Sequence, residues 1–135
     1  MATKWLIAAF LLAHGAIHGS FMAPRPPVTA GGPTWPFELG KSWLLGPLGL
    51  DTEATRMVGT ALIALTIGAF ALATLTAIGI LPAGLWPAPV TIGAVASIAV
   101  LGLYFSPWFV VGLAIDLVLL WAVLIQSWAP EGVTP

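Results

Sequence analysis

The sequence predicts an all-α fold: an integral membrane four-helix bundle with a Pro/Gly/Trp-rich cap loop between helices one and two. Three observations predict it. Of 135 residues, 59% are hydrophobic and 7% charged, where a soluble domain carries about 25% charged residues. Mean hydropathy is +1.04, and the apolar residues collect in four runs, each close to the ~20 residues that cross a hydrocarbon core. Six of the seven tryptophans alternate with those runs: Trp5, Trp86 and Trp128 fall at one end, Trp35, Trp43 and Trp108 at the other, and only Trp121 lies deeper. Two aromatic belts of this kind are favoured at membrane–water interfaces.

Each element has its own signals. The first span, residues 5–22, follows the single charge Lys4. A cleaved signal peptide is the competing reading, but the run contains two histidines and ends in Phe21-Met22-Ala23-Pro24 without a small-x-small cleavage site. The cap, residues 23–51, holds Pro24, Pro26, Pro27, Pro33, Pro36 and Pro47 among several glycines, a spacing that forbids a long helix. It also holds Trp35, Phe37, Trp43 and Leu45, which disordered linkers lack. It is therefore expected to fold back over one end of the bundle, with a short turn near Ser42. The second span, residues 53–80, has Asp51 or Thr52 as N-cap and Glu53 in its first turn. Glu53 and Arg56 are spaced to pair. After a turn at Leu81-Pro82-Ala83-Gly84, the third span covers residues 87–105, with prolines where a first turn tolerates them. Ser106-Pro107 then opens the fourth span, residues 107–128, and a short polar tail follows. Gly15/Gly19 and Gly93/Ser97 carry the four-residue spacing of small residues that lets helices approach closely.

The whole chain, residues 1–135, reads as one domain. The net charge of -1 leaves no basic footprint for nucleic acid. Cysteine is absent, which excludes disulfides and thiolate chemistry, and the absence of asparagine excludes N-linked glycosylation. No phosphate-cradling glycine loop and no GxSxG elbow is present. Lysine and arginine fall mainly near the cap (Arg25, Lys41, Arg56), but so few charges leave the orientation in the bilayer open.

Three ionisable residues stand inside apolar runs. His14 and His18 share one face of the first span, and Asp116 lies within the fourth. A rise of ~1.5 Å per residue puts His14 roughly 15 Å, Asp116 roughly 18 Å and His18 roughly 21 Å from the end bearing the termini. Thr66 and Ser97 fall at similar depth. An ionisable group at that level costs about 3 kcal/mol or more unless it is paired, so it faces the bundle interior. Asp116 is expected to meet a histidine across helices one and four. Three roles follow from this chemistry: a hydrogen-bonded staple between helices, a proton, quinone or small-ligand site, and a metal or haem site using His14 and His18. The spacing is not HExxH, because Gly15, Ala16 and Ile17 intervene. At the cap mouth, Glu38, Lys41, Ser42, Trp43 and Arg56 are candidates to line an entrance. The alternative there is a cap whose aromatics anchor at the interface.

The runs Ala13-His-Gly-Ala-Ile-His-Gly19, Trp35-Pro-Phe-Glu-Leu-Gly-Lys-Ser-Trp-Leu-Leu45 and Gly112 to Leu120 resemble a group of small uncharacterised bacterial proteins, similar in layout to DoxX-like four-helix membrane proteins. The resemblance implies the bacterial cytoplasmic membrane and an association with quinone-linked redox chemistry. The lack of cysteine departs from thiol-based versions. Two functions follow as expectations: a ligand, proton or redox-cofactor site centred on His14, His18 and Asp116, or a structural or accessory subunit, as a homo-oligomer or within a larger membrane complex.

Overall fold

The computed structural model describes residues 2–24, 27, 30–32, 35 and 37–133. Arg25, Pro26, Pro33 and Pro36 lie outside the described residues. The described chain is all-helical: α1 (Ala2–Gly19), α2 (Thr52–Ala77), α3 (Pro87–Leu103) and α4 (Val110–Leu120). With their short flanking turns, all four are long and apolar enough to cross a membrane. The helices pack in sequence order, α1 on α2, α2 on α3 and α3 on α4, while α1 and α4 approach each other only sparsely. The bundle thus has three closed seams and one open one.

Helix ends follow local chemistry. Asp51 caps α2, its carboxylate accepting from the Ala54 N–H at 2.8 Å. Asp51→Ala is expected to cost about 1 kcal/mol, the usual worth of an N-cap, read as a lower melting temperature in detergent. The second helix ends three residues before the expected boundary. Gly79, at φ 86, turns the chain back so that Ile80 N–H reaches the Leu75 carbonyl at 2.9 Å, the pattern of a glycine-terminated helix. Ser106 stands at the N-cap position before Pro107, but its side chain makes no capping bond. Glu53 and Arg56 form no ion pair among the described residues. Both are exposed, where such a pair contributes little.

The fourth helix also departs from expectation. It passes at Trp121–Ile125 into a π-helical turn instead of continuing to residue 128. The wider turn and Ser127, at φ 49, reverse the chain, and the tail folds back to bury Val133 beside Trp86. Trp86 is therefore not an outward anchor. It is buried, and its indole N–H donates to the Trp128 carbonyl at 2.9 Å. Trp5, Trp43 and Trp108 are exposed as the belts require.

The cap turn satisfies the end of α3. A helix leaves its last carbonyls without partners; here Ser42 Oγ donates to the Leu103 carbonyl (2.5 Å) and Trp43 Nε1 to the Gly102 carbonyl (2.7 Å). Tyr104 hydroxyl donates to the Thr55 carbonyl, tying the end of α3 to the start of α2.

The core has two apolar layers. One, at the end bearing the termini, centres on Leu11, Phe70, Trp86 and Val90. The other, under the cap, centres on Phe37, Ile63, Val100 and Phe109. Gly15 and Gly93 clasp Phe70 from α1 and α3; a Cβ at either would stand 3.0 Å from it. Between the layers lies a buried polar stratum: His14, His18, Thr66, Ser97 and Asp116.

Candidate functional site

All four helices contribute to the polar stratum. Glycines at positions 15 and 93 bring α1 and α3 close to α2 through Phe70. This holds the histidines of α1 and Ser97 of α3 at one level, and α4 delivers Asp116, which is fully buried. The four side chains close a ring. His14 Nε2 meets Asp116 Oδ1 at 2.9 Å, and Ser97 Oγ meets Asp116 Oδ2 at 2.5 Å. Ser97 Oγ also meets His18 Nε2 at 2.9 Å. His18 Nδ1 returns to the His14 backbone carbonyl at 3.0 Å. The histidine rings meet edge to face at 5.5 Å, and Phe70 presents an edge to His14 at 5.2 Å.

Proton counting constrains this ring. Each of its four contacts needs one hydrogen. The carbonyl can only accept, so His18 carries a proton on Nδ1. Ser97 has one hydroxyl proton for two neighbours: if it donates to one, the other must donate to it. With no net charge, the state favoured by apolar surroundings, His14 carries its proton on Nε2. The fourth proton then has two homes. Placed on Asp116 Oδ2, it leaves a neutral carboxyl and a neutral His18. Placed on His18 Nε2, it leaves a carboxylate and an imidazolium. The two arrangements interconvert by moving two protons through Ser97, with no change in total charge. Ser97→Ala is expected to break this link and leave Asp116 Oδ2 and His18 Nε2 unpartnered. The expected cost is roughly 1–3 kcal/mol, read as a drop in thermal stability.

The other residues singled out in the sequence sit elsewhere. Thr66 is buried at the same level but donates back to the Leu62 carbonyl at 2.8 Å, and so stays outside the ring. Ser42 and Trp43 are spent on the end of α3. Lys41 and Glu38 form an exposed ion pair at 3.1 Å. Glu38 and Arg56 border a hollow of about 450 Å³ at the cap, shared with Phe21 and Phe37. Among the described residues no three His, Cys, Asp or Glu side chains are placed to hold a metal ion. Both histidine Nε2 atoms and His18 Nδ1 are already committed to hydrogen bonds. The described residues therefore do not fit a chelated metal.

The open seam between α1 and α4 borders the buried ring at its two histidines. His14 and His18 form the floor of a cleft of about 340 Å³ walled by Phe21, Trp35, Phe37, Trp108 and Phe109. Phe21 and Phe37 stack at 4.4 Å and separate this cleft from the hollow at the cap. A second, wholly apolar groove of about 390 Å³ runs along the same seam past Phe10 and Val118, sharing Val111 and Ile115 with the first. The sequence did not single out these walls. The only signal was the recurrence of aromatics at residues 35–37 and 108–109, which reads equally well as an interface belt. No protein family, no curated protein and no solved structure matches this chain at a significant level.

Proposed function

We propose that this protein is an integral membrane protein of the bacterial cytoplasmic membrane that binds a small lipid-soluble ligand in the α1–α4 cleft. In this reading the His14–Asp116–Ser97–His18 ring exchanges protons with the ligand or hydrogen-bonds to it. The observation that carries the proposal is the placement of a proton-bearing ring at the floor of an aromatic cleft. A structural staple needs no such opening, and intramembrane ionisable groups beside a cavity mark ligand or proton sites. The four long apolar helices support the bilayer as the protein's surroundings. The DoxX-like layout makes a quinone the first ligand to test.

Ile115 lines both parts of the seam, so Ile115→Trp puts bulk into the cleft while keeping all four ring side chains. A short-chain benzoquinone supplied together with its quinol should raise the melting temperature of the detergent-solubilised protein, and should fail to do so in Ile115→Trp. An equal response in both proteins, or none in either, rules out a quinone site in the cleft.

A second reading, an accessory or homo-oligomeric subunit, has one observation in its favour. Gly68 is exposed, with nothing within 4 Å of where a Cβ would stand. It borders an outward groove of about 390 Å³ between α2 and α3, where small residues permit close helix approach. Gly68→Leu should dissociate such an assembly in native mass spectrometry and leave a monomer unaffected.

A further inference from the structure

The ring is closed on itself at every nitrogen and oxygen but one. Asp116 uses both carboxylate oxygens and His18 both ring nitrogens, while Ser97 bridges the two. His14 uses Nε2 alone. Its Nδ1 makes no hydrogen bond and is not among the sealed polar atoms of the interior. His14 borders the cleft and keeps 8% of its surface exposed. Among the described residues lining the cleft the one hydroxyl is that of Ser20, whose proton goes to the Ile17 carbonyl at 2.6 Å, so that its oxygen too can only accept. His14 Nδ1 is the one nitrogen of the ring left without a partner.

The proton count fixes what this atom can do. With the His14 proton on Nε2, Nδ1 presents a bare lone pair. A ligand carbonyl could bond to it only if Nδ1 gained a proton, which would make the ring cationic in apolar surroundings. A ligand hydroxyl needs no such change, because it brings the hydrogen. The walls add the second requirement. Phenyl and indole faces take a flat apolar ring by offset or edge-on contact. We infer that the α1–α4 cleft takes an apolar ring bearing a hydroxyl, and that this hydroxyl donates a hydrogen bond to His14 Nδ1. The inference rests on the cleft being a ligand site and adds which chemical form of ligand it selects. Asp116, on the far nitrogen of the same imidazole, is then a positioning residue: it holds His14 in the tautomer that accepts.

The test compares two probes that differ only in the donor: 4-propylphenol and its methyl ether, 4-propylanisole. Both are titrated into the full chain in nanodiscs, with the histidines ¹⁵N-labelled. The phenol should bind about five- to tenfold more tightly than the ether, the worth of one hydrogen bond of about 1 kcal/mol. The phenol alone should also move the ¹⁵N resonance of His14 Nδ1. Equal binding of the two, with that resonance unmoved, overturns the inference and leaves the cleft as a site indifferent to hydroxyl groups. Binding of both that survives Ile115→Trp removes the cleft itself, and the broader reading falls with it. The wild-type resonance is the primary readout, so the test does not depend on a His14 variant folding.

Discussion

Asp116→Ala should lower the stability of the protein by roughly 3 kcal/mol, whereas Asp116→Asn should leave it within about 1 kcal/mol of the parent. The difference follows from the hydrogen-bond directions. Alanine removes both oxygens and leaves the His14 Nε2 proton and Ser97 without their partner in a fully buried layer. Losing two interhelical bonds would cost only about 1 kcal/mol at the average measured for membrane proteins. Stranding a buried donor beside them is what raises the total. Asparagine satisfies all four contacts: its carbonyl accepts from His14, its amide donates to Ser97, Ser97 donates to His18, and the bond from His18 Nδ1 to the His14 carbonyl is untouched. It therefore copies the arrangement with a protonated Asp116 and forbids the other. Reversible unfolding of the two variants in mixed detergent would measure the gap. Equal losses would mean that the carboxylate's shape, and not the direction of its bonds, holds the helices.

Phe70→Ala should cost about 3–5 kcal/mol, the range for truncating a buried aromatic. Phe70 is fully buried on α2, and the surfaces facing it on α1 and α3 are Gly15 and Gly93. Neither glycine has a side chain to move into the space, so the cavity would persist, which puts the cost at the upper end. The loss should also reach the polar ring, because Phe70 packs edge to face against His14. A double-mutant cycle adds a sharper signature. Gly93→Ala alone should destabilise, since its new methyl would lie 3.0–3.2 Å from the Phe70 ring. In the Phe70→Ala background the same methyl fills vacated space. A coupling of about 1 kcal/mol or more of compensating sign is expected, and additive costs would refute the clasp.

The helices and their common polar level were legible because both depend on quantities a sequence carries directly. Run length and hydropathy mark the spans, and rise per residue fixes the relative heights of His14, His18, Ser97 and Asp116. Thr66 sits at the right height yet stays out of the ring, because a threonine within a helix can satisfy itself on the carbonyl four residues back; depth alone does not give side-chain direction. The pairing of Glu53 with Arg56 had the right spacing, but both side chains reach solvent, where nothing forces them together. The early end of the fourth helix was not legible. Nothing in Trp121-Ala-Val-Leu-Ile125 breaks a helix by propensity; the π-helical turn comes with a tail whose Val133 packs into the core. Trp86 misled for a related reason: a tryptophan at a span end reads as an interface anchor, while here the returning tail covers it. The open seam between α1 and α4 was likewise hidden, because it arises from tertiary packing rather than from any local pattern.

Solid-state ¹⁵N NMR of the histidine side chains in lipid bilayers would read the proton positions of the ring. If four side chains share four protons with a lone pair left open on His14, His14 is protonated on Nε2 and bare on Nδ1, and His18 is protonated on Nδ1, with Asp116→Asn holding His18 entirely in its neutral form. A His14 protonated on Nδ1 and bare on Nε2, or a His18 lacking its Nδ1 proton, would contradict the ring.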